Sequence, residues 1–337
     1  MSELSVTLED IRQAAGRIRP FARVTPLLAV EGGSGSRPLA LKCENLQRSG
    51  AFKIRGAANM LLQLRPEERD RGVITFSSGN HGIAMSLAAS LAGCPAIVVM
   101  PTTAPAVKVD IARTLGAEII FEGTTTIERK ARAEAEAAAR GLTLMPPFDH
   151  PWIIAGQGTI GLEILEQAPG VAAVYVPASG GGLLSGVATA IKSLAPHVRV
   201  IGVEPACTPR MTRSLRAGHP VTVPGSAGVA DGLLAVRPGD VTFAHIQAYV
   251  DEIVTVEDDA IMDAVRWVFD RARLVAEPSG AASVAAALAR GTTSWSRDGA
   301  SAAATVNGPI VALISGGNVE TAAFCGYITE GAGAPRG

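Results

Sequence analysis

Val73-Ile74-Thr75-Phe76-Ser77-Ser78-Gly79-Asn80-His81-Gly82 reads as a short, mostly apolar strand, a turn of serine, glycine and asparagine, and the opening of a helix. A strand apolar on both faces needs cover on both, which a parallel sheet with helices on either side provides. The same unit returns at Ala172–Val176, followed by Ser179-Gly180-Gly181-Gly182-Leu183. Outward from these two, strands are predicted over 96–100, 118–121, 199–203 and 310–314, and helices over 82–92, 106–115, 127–140, 158–166, 182–193, 257–271 and 280–288. The expected fold class is α/β, with two lobes, each an open, mostly parallel twisted sheet flanked by helices. Pro146, Pro147 and Pro151 mark a crossing between lobes, so residues 1–64 and 146–337 would form a large domain and 65–145 a small mobile one. Gly291–Gly308, rich in Ser, Thr, Ala and Gly, reads as a mobile loop, and Glu330–Gly337 as a disordered tail.

Composition excludes several classes of function. At 337 residues and 47% hydrophobic, the chain buries a large core, and a formal charge of −1 gathers neither nucleic acid nor anionic lipid. Four scattered cysteines form no metal or disulfide framework. The acidic start lacks a signal peptide and no apolar run spans a bilayer, so a cytoplasmic location without membrane or nucleic-acid partners is expected.

Turns at the carboxyl end of a strand present free amides and the positive end of a helix to anions. Both Ser77–Gly82 and Ser179–Leu183 have that form, and neither fits the GxGxxG pattern of a dinucleotide site. Lys53, between Phe52 and Ile54, has the apolar surroundings that turn a lysine into a nucleophile. Ser315 closes the strand 310–314 and would point into the same crevice. Taken singly, glycine pairs are ordinary turn punctuation and Lys-x-Arg an ordinary solvated pair. Their joint occurrence in this order carries the weight.

As an ordered set, Lys42-Cys43-Glu44-Asn45-Leu46-Gln47, Ala51–Ala57, Ser77–Gly82, Ala155-Gly156-Gln157-Gly158-Thr159, Ser179–Leu183 and Ser315–Asn318 resemble the serine/threonine dehydratase and serine racemase family of pyridoxal phosphate enzymes, fold type II. The resemblance implies a pyridoxal 5'-phosphate cofactor in the cleft between lobes. Lys53 would carry it as a Schiff base, Phe52 would lie against its ring, Asn80 would bond its phenolic oxygen, and Ser315 would face its pyridine nitrogen. Ser179, Gly180, Gly181, Gly182 and Leu183 would hold the phosphate. The substrate, a small amino acid, would set its carboxylate against Ser77, Ser78, Gly79, Asn80 and His81, assisted by Arg129. Lys53 and Ser78 would be the catalytic pair on opposite faces of the cofactor.

The implied reaction is dehydration and deamination of a small β-hydroxy amino acid such as L-threonine, L-serine or 3-hydroxyaspartate to a 2-oxo acid and ammonia. The alternatives are an amino-acid (serine) racemase and a non-catalytic cofactor-binding module; a nicotinamide oxidoreductase lacks its fingerprint. A homodimer is expected, and the absence of a further domain after Asn318 suggests a catabolic role. The chain departs from the family at Ala51, Ser179 and Arg210. Arg210 stands where some relatives place a cation-binding Asp near Glu204, so no metal site is expected.

Overall fold

The computed structural model describes residues 4–31, 37–77, 79–288, 291–299, 301 and 306–329. Its strands are β1 Leu27–Val30, β2 Leu39–Cys43, β3 Val73–Phe76, β4 Ala96–Met100, β5 Glu118–Phe121, β6 Thr143–Leu144, β7 Ala173–Pro177, β8 Arg199–Pro205, β9 Glu252–Val256, β10 Gly291–Ser296 and β11 Ile310–Ile314. Its helices are α1 Leu8–Ile18, α2 Ile54–Leu61, α3 Pro66–Arg71, α4 Asn80–Ala92, α5 Ala106–Thr114, α6 Thr126–Arg140, α7 Pro151–Gln167, α8 Gly182–Leu194, α9 Arg210–Ala217, α10 Asp240–Tyr249, α11 Asp258–Ala272, α12 Pro278–Ala287 and α13 Thr321–Thr329.

Two sheets form. One runs β1-β2-β11-β7-β8-β9-β10, parallel in its interior and antiparallel at both edges, and the other runs β5-β4-β3-β6, parallel throughout. Alternate residues of the larger sheet feed different cores. Leu39, Leu41, Tyr175 and Val254 pack toward α11 and α12, whereas Val174, Val176, Val200 and Ile253 pack toward α8 and α10. The smaller sheet is covered by α2 and α4 on one side and by α6 on the other. The fold class expected from the sequence is therefore the one observed.

Glycine sets the position of α2. A side chain at Gly156 of α7 would lie 2.6 Å from the Arg55 carbonyl, and one at Gly56 would lie 2.9 Å from the Ile153 carbonyl. The two helix backbones thus touch. Gly158 and Gly186 do the same for α7 against α8.

Ions lock that contact. The Arg55 guanidinium grips Glu44 through Nε and Nη2, both at 2.8 Å, and bonds Glu163 through Nη1 at 2.6 Å and Nη2 at 3.0 Å. Lys42 adds a 2.5 Å bond to Glu163. All four residues are buried. Burial alone would raise the Glu44 carboxyl, but Arg55 overrides it and holds the group below its ordinary value.

Two expectations change. Gly291–Ser296 is a strand rather than loop, pairing antiparallel with β9 through a bulge between Thr293 and Trp295. Its Thr and Trp residues favour strand, and as an edge it keeps polar side chains partly exposed. The helix expected from Gly158 starts at Pro151, because His150 caps it and proline suits a first-turn position. The tail Glu330–Gly337 lies outside the described residues.

Replacing Arg55 by Met strands two buried carboxylates, which costs about 3–5 kcal/mol. Because Glu44 is held below its ordinary value, this stability is present at neutral pH and is lost as acid protonates the carboxyl. Urea denaturation of Arg55→Met at pH 7 should show that loss, and an unchanged midpoint would remove the network from its anchoring role.

Candidate active site

The loop Gly50–Lys53 is tied to the end of β11. Phe52 N donates to Ser315 O at 3.0 Å, Gly317 N donates to Gly50 O at 2.9 Å, and Ala51 bridges Gly316. Lys53 follows in helical conformation at the head of α2. Its Nζ donates to Pro147 O at 2.8 Å and lies 5.1 Å from the centre of the Phe52 ring. Burial pulls its ammonium down to about 8 from the usual 10.5.

Asn80, the first residue of α4, sits in a hydrogen-bonded chain at the same strand end. Its Nδ2 donates to Glu277 Oε1 at 2.5 Å, and its Oδ1 accepts from Asn318 Nδ2 at 2.9 Å. Asn318 also donates to Ser49 O at 2.8 Å. Glu277 N bonds Gly316 O at 3.1 Å, and a side chain at Gly316 would strike the Glu277 carboxylate. Burial raises the Glu277 carboxyl to about 7, with Asp231 adding to the effect and Asn80 and Lys108 opposing it. Ser315 is 5% exposed, and its hydroxyl has only a long 3.5 Å contact to Ser279 O.

The second turn faces this group. Phe148 follows the Pro147 that accepts from Lys53, and its ring lies 2.5 Å from where a Gly180 side chain would start. Gly181 has φ +103° and caps α8, whose first-turn amides have no intrahelical acceptor. At the first turn Ser77 N pairs with Val99 O at 3.0 Å, and Gly79 caps α4.

The remaining expected residues divide. The His81 ring bonds Met145 O at 3.2 Å and is held neutral, its pKa lowered to about 3 by burial and by the nearby Lys53 charge. Its Nδ1 is buried without a partner. Arg129 is not brought to the group by any bond: Nη1 donates to Thr124 O at 3.1 Å and Nη2 to Thr126 Oγ1 at 3.0 Å. Ser78 lies outside the described residues. Glu204 accepts from Met211 N, Thr212 N and Thr212 Oγ1, each at 2.8 Å or less, and makes no ion pair with Arg210, whose field reaches it through space. Among the described residues no cluster of three or more His, Cys, Asp or Glu could hold a metal. No described helix is long and apolar enough to cross a membrane.

Glu277 and the ion pair between Lys108 and Asp231, 3.3 Å across the cleft, were not foreseen from sequence. The signal for Glu277 was present: it is the one carboxylate in the run Val275-Ala276-Glu277-Pro278-Ser279-Gly280-Ala281-Ala282, ahead of a first-turn proline.

The arrangement suits a phosphorylated aromatic aldehyde. A glycine turn where side chains would collide offers amides to a phosphate, and a lysine of lowered pKa offers its amine. An asparagine and a hydroxyl flank the space between. Comparison with known proteins agrees. Residues 18–308 match the model of the pyridoxal-phosphate dependent enzyme family. The chain is 42% identical over 333 residues to L-threonine ammonia-lyase of Thermotoga maritima, covering 97% of this chain and 79% of that one. It is 39% identical over 318 residues to serine racemase of Oryza sativa subsp. indica, covering 93% and 91%. The structure of maize serine racemase superposes with a TM-score of 0.88 at 36% identity, covering 97% and 98%. The chain belongs to the pyridoxal-phosphate dependent enzymes of fold type II and uses that cofactor.

Proposed function

We propose that the enzyme eliminates the β-hydroxyl of a small β-hydroxy amino acid such as L-threonine, L-serine or 3-hydroxyaspartate as water, and that the resulting enamine takes water back on hydrolysis, so that the net products are a 2-oxo acid and ammonia. The observation that carries this reading is Lys53: a buried amine of lowered pKa whose bond among the described residues is to the Pro147 carbonyl, near two glycine-capped helix starts of the kind that suit anions.

Bound pyridoxal phosphate supplies the electron sink that makes the α-proton of an amino acid acidic. Lys53 would hold the cofactor through its amine and, when that amine is free, would take the substrate's α-proton at Nζ. Ser179 to Leu183 would hold the phosphate, and Phe52 and Asn80 would orient the ring. Ser315 presents a neutral hydroxyl to the ring nitrogen, which moderates the sink and favours elimination over transamination. The substrate carboxylate rests on the amides of Ser77 to His81 at the start of α4. Arg129 is the weaker part of this assignment, since its bonds are local. The β-hydroxyl would leave as water, taking up one proton, and the enamine so formed would be hydrolysed to the 2-oxo acid and ammonia.

The second reading, a racemase, is favoured by the likeness to serine racemases. It shares the first proton transfer and returns a proton from the opposite face, the role the resemblance gives Ser78. A binding module without turnover would release neither ammonia nor D-amino acid. The proposal includes a homodimer in the cytoplasm, consistent with four free thiols at Cys43, Cys94, Cys207 and Cys325. It includes a large domain of residues 1–64 and 146–337 and a small mobile domain of 65–145, supported by the separate four-stranded sheet within the latter. It includes no metal, with Arg210 supplying the positive charge near Glu204.

A panel of β-hydroxy amino acids should yield ammonia and 2-oxo acid from at least one member, and Lys53→Ala should lose both turnover and the cofactor's visible absorption. D-serine formed from L-serine without keto acid would reverse the order of the two readings. Capture of pyridoxal phosphate by apoenzyme needs the neutral amine, so its rate should climb with pH and level off near 8. A plateau near 10.5 would contradict the buried setting of Lys53. Turnover should be indifferent to EDTA and to added Mg²⁺.

A further inference from the structure

Arg210 opens α9 and is 0% exposed, and no carboxylate of the described residues lies within ion-pairing distance of it. Its guanidinium bonds three backbone carbonyls instead. Nη2 donates to Ala178 O at 2.6 Å, Nε donates to Ser179 O at 3.2 Å, and Nη1 donates to Thr208 O at 2.6 Å. Glu204 acts on this buried charge through space, but every hydrogen bond of the guanidinium goes to a neutral carbonyl, and two of those carbonyls belong to the Ala178–Ser179 turn.

Their effect follows from peptide geometry. In a trans peptide the carbonyl of one residue and the amide N–H of the next point in opposite directions, and no described bond is cis. Holding Ala178 O therefore aims the Ser179 amide the other way, and holding Ser179 O does the same for Gly180. Gly180 O is held in turn by Thr242 Oγ1 at 2.7 Å and Gly239 N at 3.1 Å, which aims the Gly181 amide. Each of three successive carbonyls is held by a fixed donor, so each following amide is turned away from that donor, as the amides of an anion-binding nest need to be.

We propose that Arg210 is a positioning residue for the cofactor phosphate: it orients the Ser179 and Gly180 amides through their carbonyl partners and places one positive charge behind the turn. Thr242 completes the clamp. This rests on the reading of residues 179–183 as the phosphate cradle, which needs its own control.

The experiment measures affinity of the apoenzyme for pyridoxal phosphate and for pyridoxal, which lacks the phosphate, in wild type, Arg210→Met, Arg210→Lys and Gly180→Ala. Arg210→Met should weaken pyridoxal phosphate about 10-fold or more and leave pyridoxal within about twofold, as expected for lost charge-assisted bonds acting on the phosphate. Arg210→Lys, which keeps the charge but cannot reach three carbonyls, should fall between. A purely structural role would weaken both ligands together. Unchanged preference for the phosphorylated ligand in Arg210→Met overturns the inference; if that variant does not fold, unchanged preference in Arg210→Lys does so. Gly180→Ala drives a methyl toward the Phe148 ring. If it loses the preference while the Arg210 variants keep it, the cradle stands and the role of Arg210 falls. If all keep it, the cradle reading itself fails.

Discussion

Everything at the active site depends on one guanidinium that is not part of it. Arg55 follows Lys53 by two residues and is clasped between Glu44 at the end of β2 and Glu163 in α7. Three separate pieces of chain meet there, and the side chains are too deeply buried for water to take the place of any partner. Since α2 and α7 also touch backbone to backbone through Gly56 and Gly156, helix α2 has little freedom to rotate or slide. Lys53 inherits that rigidity. The proposed nucleophile is thereby mounted on a fixed base.

Charge is arranged differently on either side of that base. Behind Lys53 lie paired ions that neutralise each other; its own amine meets the Pro147 carbonyl. Lys53 itself, with Pro147 O as its partner, meets burial unopposed, and so its pKa falls while those of Arg55 and Glu44 move to favour the charged forms. The same low-dielectric setting acts on Glu277 in the opposite sense, raising a carboxyl beside Asn80. Burial thus pushes both groups toward neutrality from opposite sides.

The sequence made the fold class readable because its buried strands are almost uniformly apolar. β3, β4, β5 and β11 coincide with the expected spans. β10 was missed because a two-sided polar edge strand has the composition of a loop, and α7 was started late because Pro151 was taken as a breaker rather than a first-turn residue. At the site, Lys53, Phe52, Asn80, the glycine turn and Ser315 occur in short recognisable runs, and the structure joins them through Ser315 O, Pro147 and Phe148. Glu277, Asn318 and Lys108 enter through contacts across 197, 238 and 123 positions, which local pattern does not reveal. Arg129 shows the converse: its position was counted along the chain, and its bonds stay within its own helix start.

The order of the larger sheet bears on how the protein is made. β11, the last of its strands to leave the ribosome, is not an edge but lies in the middle, paired on one side with β2 and on the other with β7. Until it arrives, β2 has only β1, and the loop before Lys53 has no Ser315 carbonyl or Gly317 amide to hold it. The nascent chain therefore carries an open slot flanked by two unsatisfied strand edges, a state in which pairing with another chain competes with completion. Closing that slot and fixing the loop before Lys53 are therefore a single event, set by the insertion of β11 between β2 and β7.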